Sequence, residues 1–440
     1  MSAVEGTSAV IIMGRSAQHR TCPQGRSVGR PQRPESRNSA HDANDVVDDA
    51  RSRHHPAMGC HRVIVANKSP EGVVQMNVST IGIDLAKNVF QVHGVDAHGE
   101  VVIVRKLRRA QVIAFFTKIP PCLVGMEACA TGHHWARELV KLGHTVRLLP
   151  PVYVKAYIKR SKNDAADAAA ICEAVTRPSM RFVPIKTQEQ QAALAVHRTR
   201  DLLIGQRTQL INALRAHLAE LGLVAELGRD GLAKLAGIVS NEESAASLPP
   251  VMRHALQVVL DQLAALGQQI GQLDRAIAAQ HNASDVSRRL ESIPGIGMIG
   301  ATAIAATVTD PSAFKTGRDL AAWIGLVPRQ HSTGGKEKLG GISKQGDRYL
   351  RRLLVVGATA VVRQARLHPE KYPCIIKLLA KKPAKVVAIA VANKTARIAW
   401  AIMSKGGTYR PPVLAAAAGL REGLYQTLQE RCRRRRRDLR

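Results

Sequence analysis

Residues 80–107 read TIGIDLAKNVFQVHGVDAHGEVVIVRKL, and the fold of the first half of the chain turns on them. Thr80–Leu85 (TIGIDL) is a short apolar run that carries one acid, Asp84. Val89–Val95 and Val101–Leu107 are two further β-branched runs, with His98-Gly99 between them. Such runs, bounded by turn residues, predict three strands. Further along, Ala110–Lys118 predicts a helix and Cys122–Met126 (CLVGM) a strand with Glu127 directly after it. Gly132–Leu142 predicts an amphipathic helix, Thr145–Leu149 a strand and Asp164–Thr176 an alanine-rich helix. The order βββαβαβα over 76–185 specifies an α/β domain with a mixed sheet.

The placing of the acids is the informative feature. Asp84 interrupts a buried strand, Glu127 ends another, and Asp164 and Asp167 are three apart on one helix face. A carboxylate in or beside an apolar strand is costly unless it is paired or binds a metal. Converging carboxylates need a cation, and hard oxygen ligands suit Mg²⁺ or Mn²⁺. Two such ions ~4 Å apart serve phosphoryl transfer. Asp164 alone could equally cap its helix. His133-His134 point different ways on their helix, which favours packing or DNA contact over metal binding.

The chain has 440 residues, 64 Lys+Arg against 34 Asp+Glu, a net charge of +30 and only 3% aromatics. Its cores must therefore be built from Ala, Val, Leu and Ile, and its partner is a polyanion, nucleic acid before membrane. No apolar run approaches a membrane span, and no clean signal peptide opens the chain, so no membrane partner is expected. Seven cysteines without a CxxC pair fit a reduced cytoplasm. The charge is uneven: residues 286–410 hold 22 basic and 6 acidic side chains, whereas 186–285 are nearly neutral. Residues 1–75 lack Phe, Trp and Tyr and are expected to be a disordered extension, with Met76 resembling a natural start. The tail 411–440 ends in the basic run Arg433–Arg437, a candidate nonspecific phosphate-binding arm.

Within 186–285, Gln188–Leu223 predicts one long helix. Leu256, Val259, Leu263, Leu266, Ile270, Leu273 and Ile277 form a heptad seam on a second, entered at Pro249-Pro250. Joined by Gly222–Pro250, the two predict a coiled-coil spacer, paired within one chain or between two. Within 286–410, LESIPGIGMIGATAIAATV (290–308) predicts a helix-hairpin-helix. Gly295 and Gly297 let the backbone come close, and the following helix offers free N–H groups to DNA phosphates. Pro328–Gly346 is Gly-, Ser- and Lys-rich and predicts a basic loop, with Arg348, Arg351 and Arg352 on the helix after it. Arg329, His331, Lys336, Lys344, Arg348 and Arg352 are candidates to contact the scissile phosphate or its neighbours. Val386–Met403 predicts an apolar helix that closes the core.

Three stretches together carry a family resemblance: IGIDLAKNVFQVHGVD, GMEACATGHHWA and KRSKNDAADAAAI. They resemble the RuvC-like (RNase H-like) domain of DEDD insertion-sequence transposases of the IS110 family, IS1111 branch, which are similar to RNA-bridged recombinases. The likeness spans about 76–410. It implies that Asp84, Glu127, Asp164 and Asp167 are catalytic metal ligands for Mg²⁺ or Mn²⁺. It implies a mostly helical C-terminal transposase domain, and a loop serine, directly before a glycine, as nucleophile toward DNA. Here Thr333 precedes Gly334 and Ser332 lies one earlier. A primary hydroxyl attacks more readily than a β-branched one, so Ser332 ranks first, then Thr333, then Ser343. The resemblance further implies a homo-oligomer (dimer or tetramer), a structured noncoding guide RNA, and action on element ends and target DNA in the bacterial cytoplasm, at the nucleoid. Two other readings of the same residues are a metal-dependent Holliday-junction-type nuclease and a non-catalytic nucleic-acid-binding protein.

Overall fold

The computed structural model describes residues 77–158, 163–242 and 247–411. The extension 1–75 and the arginine run of the tail lie outside them.

Strands β1 (Thr80–Leu85), β2 (Val89–Val95), β3 (Val101–Arg108), β4 (Leu123–Glu127) and β5 (Thr145–Leu149) form one sheet in the order β3-β2-β1-β4-β5. The first three strands pair antiparallel; β1 pairs parallel with β4, and β4 with β5. Helices α1 (Val112–Phe116) and α2 (Gly132–Lys141) cover one face. There Phe116, Trp135, Ala136 and Leu139 pack with Ile81, Ile83, Val124 and Met126. A short α3 (Pro151–Val154) leads toward α4 (Asp164–Val175), which lies against β1, β2 and β4 on the opposite face. Because strand side chains alternate, Gly82 and Asp84 share the α4 face, as do Gly125 and Glu127.

Two long helices follow, α5 (Gln188–Ala219) and α7 (Pro250–Ala283). A capping box at Thr187 and Gln190 starts α5, and Pro250 at the first position starts α7. They pack against each other and run antiparallel: Arg200 pairs with Asp274, while Leu214 and Leu218 meet Leu256. The seven seam residues of α7 are all buried or half-buried. The connection expected to be a linker contains a further helix, α6 (Arg229–Ser240). Its Leu235 and Val239 bury against the closed end of the hairpin.

The remainder is mostly helical: α8 (Asp285–Glu291), α9 (Met298–Thr307), α10 (Gly317–Ile324), α11 (Arg348–Leu367), α12 (Pro373–Lys381) and α13 (Ala384–Lys405). Leu290, Ile293, Ile304, Leu320, Ile324, Leu350 and Ala396 contribute to one core. Among the described residues α13 is long and apolar enough to cross a membrane. Its Val387, Ala388, Ala392, Thr395, Ala396, Ala399 and Ile402 are buried against the rest of this region, the packing of a core helix.

The basic stretch after α10 is not the loop that composition predicts. Strands β6 (Pro328–Gln330) and β7 (Leu339–Ile342) pair as an antiparallel hairpin. Thr333 and Lys336 exchange backbone hydrogen bonds around Gly334 (φ +55°) and Gly335 (φ +77°). Two central residues in the left-handed region favour a primed hairpin turn, which glycine adopts without steric cost.

Candidate metal and nucleic-acid site

The acids converge because α4 tracks along β1. A helix advances about 6 Å over four residues and a strand about 6.6 Å over two, so the two stay in step when they run in opposite directions. Cys172 donates its thiol hydrogen to Thr80 O at 3.7 Å. One turn earlier, Ala168 and Cys172 lie so close to Gly82 that a Cβ there would sit 2.2 Å from Ala168 O. One turn earlier again, Asp164 reaches Asp84. The thiol of Cys172, pushed up to about 11 chiefly by burial, stays a neutral donor in this tight contact.

Asp84, Asp164 and Asp167 each offer a carboxylate oxygen, and these oxygens lie within 4.8 Å of one another. Asp84 and Asp167 are half-buried and Asp164 is exposed. Asp164 is not the helix cap; Asn163 takes that role, accepting from the Ala166 N–H at 2.7 Å. Asp167 Oδ1 is buried with no hydrogen-bond partner. Three like charges at this distance, one with an orphaned oxygen, fit a divalent cation with oxygen ligands. Glu127 stands outside this group of three. Ile83 pairs with Met126 across the parallel strands, so Glu127 follows at the same carboxyl-end level as Asp84 and on the same sheet face. That edge of a parallel α/β sheet is where ligands characteristically bind.

The predicted hydroxyls differ in environment. Ser332 is exposed, and its Oγ accepts from Gln330 Nε2 at 3.0 Å and from the Lys338 N–H at 3.2 Å. Thr333 is exposed at the turn, whereas Ser343 is half-buried with an unpartnered Oγ. Arg329 donates to Ser343 O at 3.2 Å, and His331 donates its N–H to Lys338 O within the hairpin. Lys336, Lys344 and Arg348 are exposed and make no ion pair among the described residues. Arg352 is instead paired with Asp201 of α5 and lies over the Tyr349 ring. Gly295 (φ +88°) does allow a close approach, but to α11: a Cβ on Gly357 would sit 1.7 Å from Gly295 O. Gly297, at the start of α9, has open space around it and no side-chain cap.

A second cluster was not legible in the sequence. Beside Glu127, Ala128, Cys129 and Ala130 with His133, Lys186, Gln191 and Arg198 line a cavity of about 270 Å³. His133 Nδ1 accepts from the Lys186 N–H at 3.2 Å, and Arg137 donates to Lys186 O at 2.7 Å. His134, its neighbour, packs edge-on to Trp135. Lys186 and Arg198 fall in a stretch whose near-zero net charge hides them.

Residues 287–373 match the Transposase IS116/IS110/IS902 family, and residues 81–223 match the IS110-type DEDD transposase family. The chain is 52% identical over 338 residues to a protein of Pseudomonas aeruginosa named "Probable family 20 transposase", covering 76% of this chain and 100% of that one. It is 40% identical over 334 residues to the transposase for insertion sequence element IS1328 of Yersinia enterocolitica, covering 76% and 99%. It is 38% identical over 351 residues to the transposase for IS1111A of Coxiella burnetii, covering 80% and 96%. An acidic, metal-type site on a mixed sheet, joined to a basic helical region, defines a class of DNA-processing enzyme. The chain belongs to the IS110 family of DEDD transposases, enzymes that cleave and recombine DNA, bind it and use a divalent metal ion.

Proposed function

We propose that this transposase moves an insertion sequence by phosphoryl transfer on DNA, at an acidic site in a RuvC-like (RNase H-like) domain, with a hairpin serine as nucleophile. The observation that carries this reading is the convergence of Asp84, Asp164 and Asp167 around the orphaned Asp167 oxygen. Asp84, Asp164, Asp167 and Glu127 would hold Mg²⁺ or Mn²⁺, which when bound neutralises charge on the phosphoryl oxygens. Ser332 Oγ gives up its proton and bonds to phosphorus while the bond to one deoxyribose oxygen breaks; that oxygen leaves as a hydroxyl. The phosphoserine link keeps the bond energy, so a second strand's hydroxyl reverses the step without external energy. Gln330 and Lys338 hold the Ser332 hydroxyl; Arg329, Lys336, Lys344 and Arg348 supply positive charge around the phosphate.

The turn between α8 and α9 acts as a helix-hairpin-helix that presents Gly297 and the α9 N-terminus to backbone phosphates. The α5–α7 pair acts as a coiled-coil spacer in a homo-oligomer, across which the acidic site of one chain and the hairpin of another meet. Guidance by a structured noncoding RNA follows from the resemblance, and the charge permits it.

Covalent trapping tests the chemistry. Labelled element-end DNA, element-encoded RNA and Mg²⁺ are incubated with wild type, Ser332→Ala and Asp84→Asn, then run on a denaturing gel. A protein–DNA adduct lost in both variants is expected. Survival in Ser332→Ala moves the nucleophile to Thr333 or Ser343, and Mg²⁺-dependent nicks without adduct replace this reading with a hydrolytic junction nuclease.

A further inference from the structure

The cavity beside Glu127 has no part in the chemistry above, yet it has the make-up of an anion site. We propose that His133, Lys186, Gln191 and Arg198 form a subsite for a backbone phosphate of the DNA strand, one that positions a neighbouring phosphate while the scissile one lies at the acids. The proposal rests on the acidic cluster being the cleavage site.

Position, charge and hydrogen bonding support it. The cavity begins at residue 128, directly after Glu127, so a strand entering the carboxyl edge of the sheet passes it. Two cations line it: Lys186 lies just before the capping box of α5, and Arg198 lies nearly three turns into that helix. Burial and the Arg198 guanidinium both hold the Lys186 ammonium below its ordinary range, while Asp347 opposes them; a bound anion would offset that repulsion. The position of Lys186 is fixed from both sides, by His133 on its N–H and Arg137 on its carbonyl. Burial, then Lys186, Arg137 and Arg198, push His133 down to about 4, so its ring is neutral at pH 7. With Nδ1 accepting from the backbone, the ring proton sits on Nε2 as a donor. Cations, a neutral N–H donor and the Gln191 amide make a set suited to phosphate, and a carboxylate partner for Arg198 is absent among the described residues.

The test is a methylphosphonate scan on the full-length chain. Each phosphate of element-end DNA near the cleavage point is neutralised in turn, and affinity is measured for wild type and for Lys186→Gln/Arg198→Gln. One position should weaken wild-type binding yet make no difference in the double variant, whose salt slope should also fall by ~0.7–0.9, the value of one phosphate contact. Lys186→Arg and Arg198→Lys should restore both readouts, which separates loss of charge from loss of fold. If every position weakens the variant as much as wild type, the subsite is not there. If the deficit occurs with RNA of the same sequence and not with DNA, or if inorganic phosphate binds wild type as tightly as the DNA does, DNA is the wrong occupant. Arg253→Gln, on α7, should leave binding unchanged. Asp84→Asn, run alongside, separates the two readings: cleavage that survives it overturns the acidic site, and a scan that fails while cleavage is lost overturns the subsite alone.

Discussion

His197 makes the clearest residue-scale prediction. Its side chain is fully buried on α5, with Nδ1 3.1 Å from Tyr349 Oη on α11 and Nε2 without a partner. Burial, helped by Arg200, pushes it down to about 4. The unfolded chain, with histidine near pH 6.5, therefore binds the proton first as pH falls. Stability present above pH 6.5 is lost down to about pH 4, by about 2 kcal/mol between pH 7 and 5. His133 adds to the loss with the same sign. Urea unfolding of His197→Gln should show a shallower acid limb than wild type; an identical limb would mean the loss lies elsewhere. The three aspartates give a second prediction. Mg²⁺ or Mn²⁺ should raise the Tm of wild type, because ligand binding to the folded state stabilises it, and Asp167→Asn should blunt the rise. The three converging acids had marks in the sequence, Asp84 as an acid inside an apolar strand and Asp164 and Asp167 as a pair three apart on one helix face; Glu127, at a strand end, stands outside that group. Lys186 and Arg198 could not be picked out, because single basic residues just before and within a long helix have no periodic mark.

At the scale of elements, the step between β1 and α4 builds the acidic site. Gly82 is the residue that allows it. Gly82→Ala should cost about 1–3 kcal/mol by overpacking and abolish the divalent-ion rise in Tm by moving α4 off Asp84. Gly205→Ala, inside α5 with nothing within 4 Å of the new Cβ, should instead be neutral or stabilising by about 0.5–1 kcal/mol. Thermal melts with and without Mg²⁺ decide both. The hairpin permits a parallel test. Gly335→Val would force a β-branched residue into the left-handed region. Adduct formation should fall while the metal-dependent Tm rise stays intact. The five sheet strands were legible to within a residue or two because each is a β-branched run between turn residues. The hairpin strands were hidden by Gly, Ser and Lys, which composition assigns to loops; the turn geometry of Gly334-Gly335 outweighs that. Helix α6 was missed because Gly228 and Pro249 punctuate the segment, although Leu232, Leu235, Ile238 and Val239 form its apolar face.

At the scale of the whole chain, the α5–α7 pair joins the sheet region to the basic helical region. It is tied to α11 by the Asp201–Arg352 ion pair and the His197–Tyr349 hydrogen bond. The sequence left open whether the heptad seam pairs within one chain or between two; among the described residues Leu256, Val259 and Leu263 pack with Leu214 and Leu218 of the same chain. Leu256 is buried against Leu214 and Leu218, while its near neighbour Val258 is 55% exposed. Leu256→Ala should therefore cost about 2–5 kcal/mol, the range for a large-to-small core change. Val258→Ala should fall within about 0.5 kcal/mol. Because Leu256 packs on Leu214 and Leu218 of its own chain, the drop in Tm for Leu256→Ala should be the same in dilute and concentrated protein. A seam completed by a second chain would couple that drop to protein concentration by mass action. Melting curves over a wide concentration range distinguish the two. A concentration-dependent drop would make the hairpin an exchanged interface; a constant drop requires any homo-oligomer to form through surfaces other than this seam.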